Sequence, residues 1–411
     1  MTDFEKLYYG KLNLAVNGKD LAQNGDELCV DQLDCLLNPK KYPVVLRTED
    51  CSCSMEERKE CSRRCLFDAI LPDGKGGIGI DKNKCIGCGV CVDSCKAQKL
   101  VTSKDAVATL SAMKDHTGLT YALVAPAFLG QFSSEVTPGK LRSAIKAAGF
   151  DGMIEVALFA DMLTLKEALE FDRMIKTEKD YQLTSCCCPI WIAMIRKIYS
   201  QLMSHVPSSV SPMVACGRTI KHLHPDALTV FVGPCIAKKA EAREADIADA
   251  VDFVLTFQEM RDIFEAMGIN PAEMEESERD HSSRAGRIYA KAGGVSEAVS
   301  QTLERISPDR DIKIRTQKAD GVPACRAMIN DLLAGKTNAN FYEGMGCVGG
   351  CVGGPKAIID KEQGRKHVDD YAAQATYPTP ADNPYVIEIL HRLGFESIES
   401  LLEDSKILTR H

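Results

Sequence analysis

Residues 343–355, Glu-Gly-Met-Gly-Cys-Val-Gly-Gly-Cys-Val-Gly-Gly-Pro, combine residue types that suit metal chemistry. Cys347 and Cys351 are four residues apart, so a single helical turn would direct both thiols toward one point. Six of the thirteen residues are glycine, which has no Cβ and lets the backbone approach a bulky group closely. The stretch therefore predicts thiolates that hold an inorganic cluster against the main chain. A surface loop with two buried cysteines is the alternative.

A second group of cysteines lies before residue 100 and has iron–sulfur spacing. The run Cys-x2-Cys-x2-Cys-x3-Cys is that of bacterial ferredoxins, in which three cysteines bind one 4Fe–4S cluster and the fourth binds its neighbour. An irregular quartet that starts with Cys-x-Cys lies upstream. Applied to both quartets, this exchange predicts one cluster on Cys85, Cys88, Cys91 and Cys65, and a second on Cys51, Cys53, Cys61 and Cys95. A zinc site would instead need four ligands in paired Cys-x2–4-Cys knuckles.

The composition narrows the class of protein. The chain has 411 residues, enough for about two or three domains, and its 18 cysteines indicate metal or redox chemistry in a reducing compartment. A net charge of −8 argues against a nucleic-acid partner. No apolar run approaches the ~18 residues of a membrane span, and the first residues lack the pattern of a secretory signal. We therefore expect a cytoplasmic protein.

Beyond residue 115 the pattern predicts an α/β fold. Strands are expected at 119–124, 153–158, 181–183, 229–232 and 251–257, and helices at 141–148, 164–175, from Pro189 onward, at 258–267 and 294–305, with two short ones within 383–404. Cys188 and Cys235 each follow a strand and open a helix, and a parallel sheet gathers such loops at one edge. With Cys347 and Cys351 they supply the four thiolates of a 4Fe–4S cluster.

Three of these motifs together resemble the signatures of FeFe-hydrogenases. They are Thr-Ser-Cys-Cys-Cys-Pro-Ile-Trp at 184–191, Pro-Cys-x2-Lys-x2-Glu at 234–241, and Cys-x3-Cys followed by glycines at 347–355. The resemblance covers residues 115–411, and the triple cysteine is similar to a subgroup with an accessory two-cluster domain. It implies a 1–48 extension, a 49–110 ferredoxin-like domain, and a 115–411 catalytic domain with two parallel-sheet lobes and the cluster between them.

The resemblance also implies the active centre, called the H-cluster. In the family a 4Fe–4S cubane is joined through one cysteine to a two-iron unit that carries CO, cyanide and a dithiolate amine. By position, Cys188, Cys235, Cys347 and Cys351 would hold the cubane, and Cys351 would also bridge to the two-iron unit. Lys238 would donate to one cyanide. The residues expected to line the two-iron unit are Ala125, Pro126, Ala127 and Met345.

The resemblance also implies a proton relay. The triple cysteine can be aligned with the family's first motif in two ways that differ by one residue. Anchoring on Thr184 makes Cys186 the proton carrier, whereas anchoring on Pro189 and the following helix makes Cys187 the carrier. We prefer Cys187, because Glu167 and Glu170 then match two glutamates of the family's relay without a gap. From spacing alone, an exposed helix face would be the simpler interpretation of these glutamates.

Several positions depart from the family. Met174 stands where the relay commonly ends in arginine, and Pro207 where it has serine, with Ser208 adjacent. Met213 replaces a glutamine and Gly233 a methionine beside the two-iron unit. The third motif also lacks the usual Gly-Gly-Gly-Gln-Pro ending. These departures leave the rate and direction of turnover open more than the identity of the cofactor.

The resemblance implies reversible H2 chemistry, with two accessory 4Fe–4S clusters that pass electrons to or from ferredoxin or a flavodoxin-type carrier. It also implies insertion of the two-iron unit by maturation proteins. The rival interpretations are a hydrogenase-like iron–sulfur carrier without the two-iron unit, and an H2 sensor without significant turnover. Four cysteines receive no role: Cys29, Cys35, Cys216 and Cys325.

Overall fold

The computed structural model describes residues 2–21, 30–74, 77–184, 187–277, 281–336, 338–404 and 406–410. Helices and strands alternate along most of this length, as an α/β fold requires. None of the described helices is both long and apolar enough to cross a bilayer.

The first two helices are α1 (Asp3–Val16) and α2 (Val30–Leu37). Helix α1 begins with a capping box, because Thr2 Oγ1 accepts from the Glu5 amide while the Glu5 carboxylate accepts from the Thr2 amide. Its apolar side chains join the main hydrophobic core, and the Tyr8 hydroxyl lies 3.1 Å from Asp262 Oδ2. The segment expected as a weakly patterned extension therefore packs into the larger part of the protein.

The cysteine-rich part has two short antiparallel ladders. Its elements are β1 (Val45–Arg47), α3 (Met55–Arg64), β2 (Ile70–Pro72), β3 (Ile78–Ile80), α4 (Val90–Asp93) and β4 (Leu100–Thr102). Strand β1 pairs with β4, and β2 pairs with β3. Cysteines of both quartets pack around a small core of Val45, Ile70, Ile78 and Leu100. In each half a helix ends just before a cysteine and a strand follows.

The rest of the chain supplies the larger layers. Its strands are β5 (Thr120–Val124), β6 (Gly152–Glu155), β7 (Gln182–Leu183), β8 (Leu228–Gly233), β9 (Phe253–Thr256), β10 (Thr316–Asp320) and β11 (Phe341–Met345). Its helices are α5 (Ala106–Asp115), α6 (Pro138–Ala147), α7 (Ala157–Met174), α8 (Pro189–Lys197), α9 (Pro212–Leu223), α10 (Ala237–Glu241), α11 (Phe257–Met267), α12 (Arg284–Arg287), α13 (Gly294–Ile306), α14 (Val322–Leu333), α15 (Lys361–Ala373) and α16 (Pro384–Arg392).

These strands form two parallel sheets, which confirms the predicted fold class. One sheet has the order β6-β5-β8-β9 and the other the order β10-β11-β7, with every pair parallel. Parallel sheets are covered on both faces, so their inner strands are apolar runs such as Val230–Val232, whereas the edge strand β10 is polar and mostly exposed. The carboxyl ends of β7, β8 and β11 lead directly into the cysteine motifs.

One predicted boundary is wrong. The strand expected at 153–158 ends at Glu155, and helix α7 begins at Ala157 instead of Thr164. Residues 157–163 are buried on every side. Because this first part of the helix has no polar face, the 3.6-residue periodicity that identifies an amphipathic helix is missing from it.

Candidate functional site

Four cysteines lie where strands of the two sheets end. Cys188 is the residue before α8, whose first position is Pro189, a residue that suits a helix start. Cys235 follows β8 and precedes α10, and Cys347 and Cys351 follow β11. Three loops that are distant in sequence therefore deliver these thiols, as predicted from the motifs.

The four thiols are close enough to perturb one another. Burial raises the pKa of Cys347 well above its usual value, and Cys235, Cys188 and Cys351 raise it further. Burial, Cys235 and Cys188 raise the pKa of Cys351 to about 12, with Lys238 acting in the opposite direction. Without metal Cys347 and Cys351 hold their protons, and a cationic iron cluster is the kind of partner that would ionise them.

The geometry suits a cluster with several metal atoms better than a single ion. In the described part of the chain, no three Cys, His, Asp or Glu side chains lie close enough to hold one metal ion together. A 4Fe–4S cubane takes four cysteine thiolates. The amide of Gly346 also donates to Cys188 Sγ at 3.3 Å, the kind of bond that tunes such a cluster.

The glycines of the third motif allow neighbouring segments to pack closely. A Cβ on Gly344 would lie 2.0 Å from Trp191 Cε3, and one on Gly346 would lie 2.5 Å from Ile190 Cβ. A Cβ on Gly354 would meet the carbonyl oxygen of Pro234 at 2.8 Å. These glycines therefore bring the loops of Cys347, Cys188 and Cys235 together by close contact with protein groups.

A buried cavity of about 60 Å³ adjoins Cys351. The predicted residues Ala125, Pro126, Lys238 and Met345 line it, together with both Cys187 and Cys188. Most of the wall is apolar. Ala127 is buried but does not line the cavity. There is room beside Cys351 for a small group that is held away from water.

Lys238 provides the cationic group of this cavity. Its Nζ lies 2.6 Å from Glu241 Oε2, but neither atom makes a hydrogen bond of good geometry, and Nζ is buried. Burial lowers the pKa of Lys238, whereas Glu241, Cys235 and Cys351 raise it, and the net shift is upward. The side chain therefore stays charged, with donor capacity free for an anionic acceptor in the cavity. A cyanide nitrogen of a two-iron unit has that chemistry.

Cys187 and the two glutamates lie inside the protein. Glu167 and Glu170 are 1% and 3% exposed on α7, so an exposed helix face is excluded. Burial raises the pKa of Cys187 well above its usual value, and Cys188 and Glu167 raise it further. The alternative carrier, Cys186, lies outside the described residues.

Ser209, which the sequence reasoning missed, contacts the second glutamate. Its hydroxyl donates to Glu170 Oε2 at 3.4 Å, whereas Ser208 is exposed and Pro207 has no donor. Burial raises the pKa of Glu170, while Lys166, Arg173 and the Ser209 hydroxyl lower it, leaving a net upward shift. Such a carboxyl exchanges its proton nearer to neutral pH than an exposed glutamate does.

Residues 408–410 cover the outer side of Ser209. The Val210 amide donates to the Leu408 carbonyl at 2.9 Å, and the Arg410 amide donates to the Ser208 carbonyl at 2.6 Å. Ser209 and Thr409 are thus an antiparallel pair without mutual backbone bonds, in which side chains lie on one face and close together.

Lys166 completes this buried polar cluster. It is 2% exposed, and its Nζ lies 2.5 Å from Thr409 Oγ1 and 3.4 Å from the Leu408 carbonyl oxygen. Lys166 and Glu170 are four residues apart on α7, so both side chains face the Ser209–Thr409 pair. Burial lowers the pKa of Lys166 and Glu170 raises it, with a net downward shift.

The eight cysteines of the two quartets, between residues 51 and 95, lie in two groups of four neighbours. The pKa of Cys91 rises to about 12 through burial and then through Cys88, Cys85 and Cys65, so these four are neighbours. In the other group, burial raises the pKa of Cys61, and Cys95, Cys53 and Cys51 raise it further. In each group, three cysteines of one quartet therefore lie beside one cysteine of the other quartet.

The first of these groups lies next to the loops that carry Cys235 and Cys347. Cys88 is among the thiols that raise the pKa of Cys347. Its neighbours Gly87 and Gly89 have φ of +72° and +83°, a region that favours glycine. A Cβ on Gly87 would lie 3.1 Å from Ala237 Cα. The two iron–sulfur sites are therefore adjacent.

The unassigned cysteines that the structure describes are all buried. Cys35 and Cys216 are buried in α2 and α9. The buried thiol of Cys325 lies 3.4 Å from the Ala319 carbonyl oxygen and 3.3 Å from that of Met345. Cys29 lies outside the described residues.

Tyr289 is a further cavity residue that the sequence did not reveal. It lines the cavity beside Cys187, and its hydroxyl lies 2.8 Å from Thr164 Oγ1. It belongs to a short helical turn without a cysteine or glycine motif, so no pattern identified it. Met213, noted as a departure, also lines the cavity.

Sequence comparisons agree with this geometry. The profile described as iron only hydrogenase large subunit, C-terminal domain, matches residues 119–355, more than half of the chain, and a 4Fe-4S binding domain matches residues 78–98. Iron hydrogenase 1 of Clostridium pasteurianum is 28% identical over 54% of this chain and 46% of its own length. The NADP-reducing hydrogenase subunit HndD of Solidesulfovibrio fructosivorans is 25% identical over 75% of this chain and 63% of its own length. The chain thus spans less than two thirds of either relative.

Solved structures share the fold. A structure described in connection with FeFe-hydrogenase inactivation by oxygen superposes with a TM-score of 0.63 at 21% identity, over 74% of this chain and 98% of that one. A variant of the FeFe-hydrogenase HydA1 from Chlamydomonas reinhardtii gives 0.61 at 22% identity, with the same coverage.

Proposed function

Because this chain belongs to the iron-only hydrogenase large-subunit family, we propose that it catalyses the reversible reduction of two protons to H2 at an H-cluster. The observation that carries the proposal is the meeting of four thiols from three loops beside an apolar cavity that the Lys238 ammonium, paired with Glu241, also lines. When bound, the H-cluster supplies the metal centre at which protons and electrons combine.

The protein's first task is to hold this group. Cys188, Cys235, Cys347 and Cys351 would hold the cubane, and Cys351 also lines the cavity that would take the two-iron unit. The Lys238 ammonium, which is buried and paired with Glu241, would donate to a cyanide there. The apolar wall around it excludes water and strengthens this charge-assisted bond.

The second task is proton delivery. Cys187 lines the cavity, and Glu167 is near enough to raise the pKa of the Cys187 thiol. Glu170 follows one helical turn farther along α7. Cys187 exchanges the proton at the cavity side, and the two carboxyls carry it toward the surface. Burial raises the pKa of Glu170, which brings its titration closer to neutral pH.

The outer end of the route uses the buried polar cluster Lys166, Glu170, Ser209 and Thr409. Met174 stands one turn after Glu170, at the position of the family's arginine, and cannot carry a proton. Lys166, one turn before Glu170, therefore supplies the cation at this end of the route. Ser209 and Thr409 are hydroxyls that can both accept and donate. The route therefore leaves the protein beside residues 408–410.

The third task is electron transfer. The group of Cys85, Cys88, Cys91 and Cys65 would hold an accessory 4Fe–4S cluster next to the loop of Cys347. The group of Cys51, Cys53, Cys61 and Cys95 would hold a second one. An external ferredoxin or flavodoxin-type carrier exchanges electrons with them, and maturation proteins insert the two-iron unit. At pH 7 the proton couple, near −0.4 V, falls within the ~−700 to +450 mV range of iron–sulfur clusters.

The experiment is anaerobic maturation of the cubane-loaded protein with a synthetic two-iron cofactor, followed by infrared spectroscopy and an H2 assay. We expect bands of iron-bound CO and cyanide together with H2 evolution. A carrier protein would give neither. A sensor would give the bands with negligible turnover, so the two readouts separate all three interpretations.

The proton route is tested by Cys187→Ala in the same assay. The variant should keep the CO and cyanide bands and lose at least about 99% of turnover, since general acid–base groups contribute ~10²–10⁴-fold. Cys216→Ala is the matched control, because Cys216 is also a buried free thiol but, unlike Met213 of the same helix α9, does not line the cavity. Equal rates in the two variants would remove Cys187 from the route.

A further inference from the structure

A second, larger cavity lies where the accessory loop meets the catalytic part. It has a volume of about 480 Å³, and no function is assigned to it by the site above. Its walls come from the loop that carries Cys85, the end of α8, and the segment that follows α10. It is therefore bordered by elements that also carry the cysteines of both neighbouring iron–sulfur sites.

The cavity is strongly basic in an acidic protein. One carboxylate, Glu244, and five cations line it: Lys40, Lys82, Arg196, Lys197 and Arg243. Five positive charges minus one negative give +4, whereas the whole chain has −8. Glu244 already bonds to Arg410 outside the cavity and lies 3.5 Å from Arg196 Nη1. The wall itself therefore offers a single carboxylate, which is ion-paired with Arg196, against five cations.

One donor in this wall is buried without a hydrogen bond. Arg243 Nη1 donates to the Tyr42 carbonyl oxygen at 2.9 Å, but Nη2 has no hydrogen-bond partner among the described residues. Asp105 Oδ1 is 3.8 Å from Nη2, which is too far for a hydrogen bond. Buried unsatisfied donors are rare, and an absent ion or ligand is one of the usual reasons for them.

The remaining wall is apolar. Val44, Ile86, Ile192 and Ala193 contribute to it, beside the Tyr42 side chain. A volume of this size falls in the ~300–1,000 Å³ range of small-molecule sites. An occupant that matches the whole wall has several negative charges at one end and a flat or apolar part at the other. A protein surface docked over the opening would leave the interior unfilled.

We propose that this cavity binds a small phosphate-bearing anion of the size of a nucleoside diphosphate. Arg196, Arg243 and the lysines contact the phosphates, since guanidinium groups match phosphate geometry and ammonium groups act as point charges. The base lies against Ile86 and Ile192. Because Cys85 also lines the cavity, the bound anion brings negative charge next to the accessory cluster and lowers its reduction potential.

The test is calorimetric titration of the full chain carrying its cubanes, with ADP, pyrophosphate and adenosine as probes. We expect ADP and pyrophosphate to bind and adenosine to bind far more weakly. The Lys82→Gln/Lys197→Gln variant removes two exposed cations of the wall and should weaken ADP binding about tenfold. Lys336→Gln/Lys366→Gln makes the same charge change at exposed positions elsewhere and should leave binding unchanged.

A redox titration of the accessory cluster locates the ligand. ADP should lower its potential in the wild type, and less so in the cavity variant. The proposal is overturned if neither ADP nor pyrophosphate binds, if both double variants weaken binding equally, or if bound ADP leaves the potential unchanged. Binding of an acidic ferredoxin that only the cavity variant weakens, without ADP binding, would overturn it in favour of protein docking. The redox readout rests on the proposed accessory cluster, whereas calorimetry does not, so the two failures are distinguishable.

Discussion

The substitution Ser209→Ala tests the outer proton route with the smallest change. It removes one hydroxyl, which donates to Glu170 Oε2 at 3.4 Å, and leaves a methyl group in a fully buried position. The carboxylate then keeps the influence of Lys166 and Arg173 but loses this donor. The ionised form of Glu170 becomes less stable, so its pKa rises further above the ordinary value.

The size of the effect follows from the geometry. Hydrogen bonds to charged groups contribute ~1.5–3 kcal/mol, and at 3.4 Å this one lies at or below that range, so about 1 kcal/mol is lost. Since one pKa unit corresponds to ~1.36 kcal/mol, the titration should move upward by about 0.7 pH unit.

The assay is the pH profile of H2 evolution by the matured protein. The limb that reports Glu170 should move to higher pH by this amount. Infrared titration of the carboxyl band in protein with cubanes alone should show the same shift without turnover. Because burial already raises the pKa of folded Glu170, stability falls as pH rises between the unfolded and folded pKa values. In the variant this window should extend to higher pH.

Ser208→Ala is the matched control, since Ser208 is the exposed neighbour and its side chain does not contact Glu170. It should leave both titrations in place. An unshifted carboxyl band in Ser209→Ala, or an equal shift in the two variants, would refute the assignment of Ser209 to the route.

Two adjacent lysines should respond in different ways. Lys238→Met should keep its cubane content but lose the CO and cyanide bands after maturation, with a loss of stability because buried Glu241 loses its cation. Lys239→Met should break a buried ion-pair network and cost ~3–5 kcal/mol in denaturant unfolding. Unchanged bands in the first, or unchanged stability in the second, would contradict these roles. Gly344→Ala would place a methyl group against Trp191 and should cost at least ~1–3 kcal/mol, with lower iron content on purification. Cys65→Ser should remove or weaken one accessory cluster in electron paramagnetic resonance, and spectra with all clusters intact would show that Cys65 is not a ligand.

The thiol groups were predictable because their spacing is local or tied to strand ends. The exchange of Cys65 and Cys95 between halves follows from a known ferredoxin run, and Cys188 and Cys235 follow strands of parallel sheets. The fold class was predictable because the apolar strands and the helices alternate along the sequence beyond residue 115. What the motifs did not reveal was the purpose of Gly344 and Gly346, which accommodate the α8 side chains.

The outer proton route could not be predicted, because it depends on contacts between distant segments. Lys166 and Thr409 are 243 residues apart, and neither lies in a motif. The hydroxyl was sought at 207 or 208, whereas the backbone pairing with 408–410 turns Ser209 inward. Neither the pairing nor the direction of these side chains is encoded in local periodicity.

The packing of α1 has a consequence for how electrons travel. The cysteine-rich part is flanked by α1 before it and α5 after it, and both helices pack into the main body. Because it is anchored at both ends, the cysteine-rich part keeps a fixed position relative to the rest of the protein. The distance between its cysteines and the loop of Cys347 is then set by folding. In the proposed function, a mutation that weakens the packing of α1 would slow electron transfer without changing any cysteine ligand.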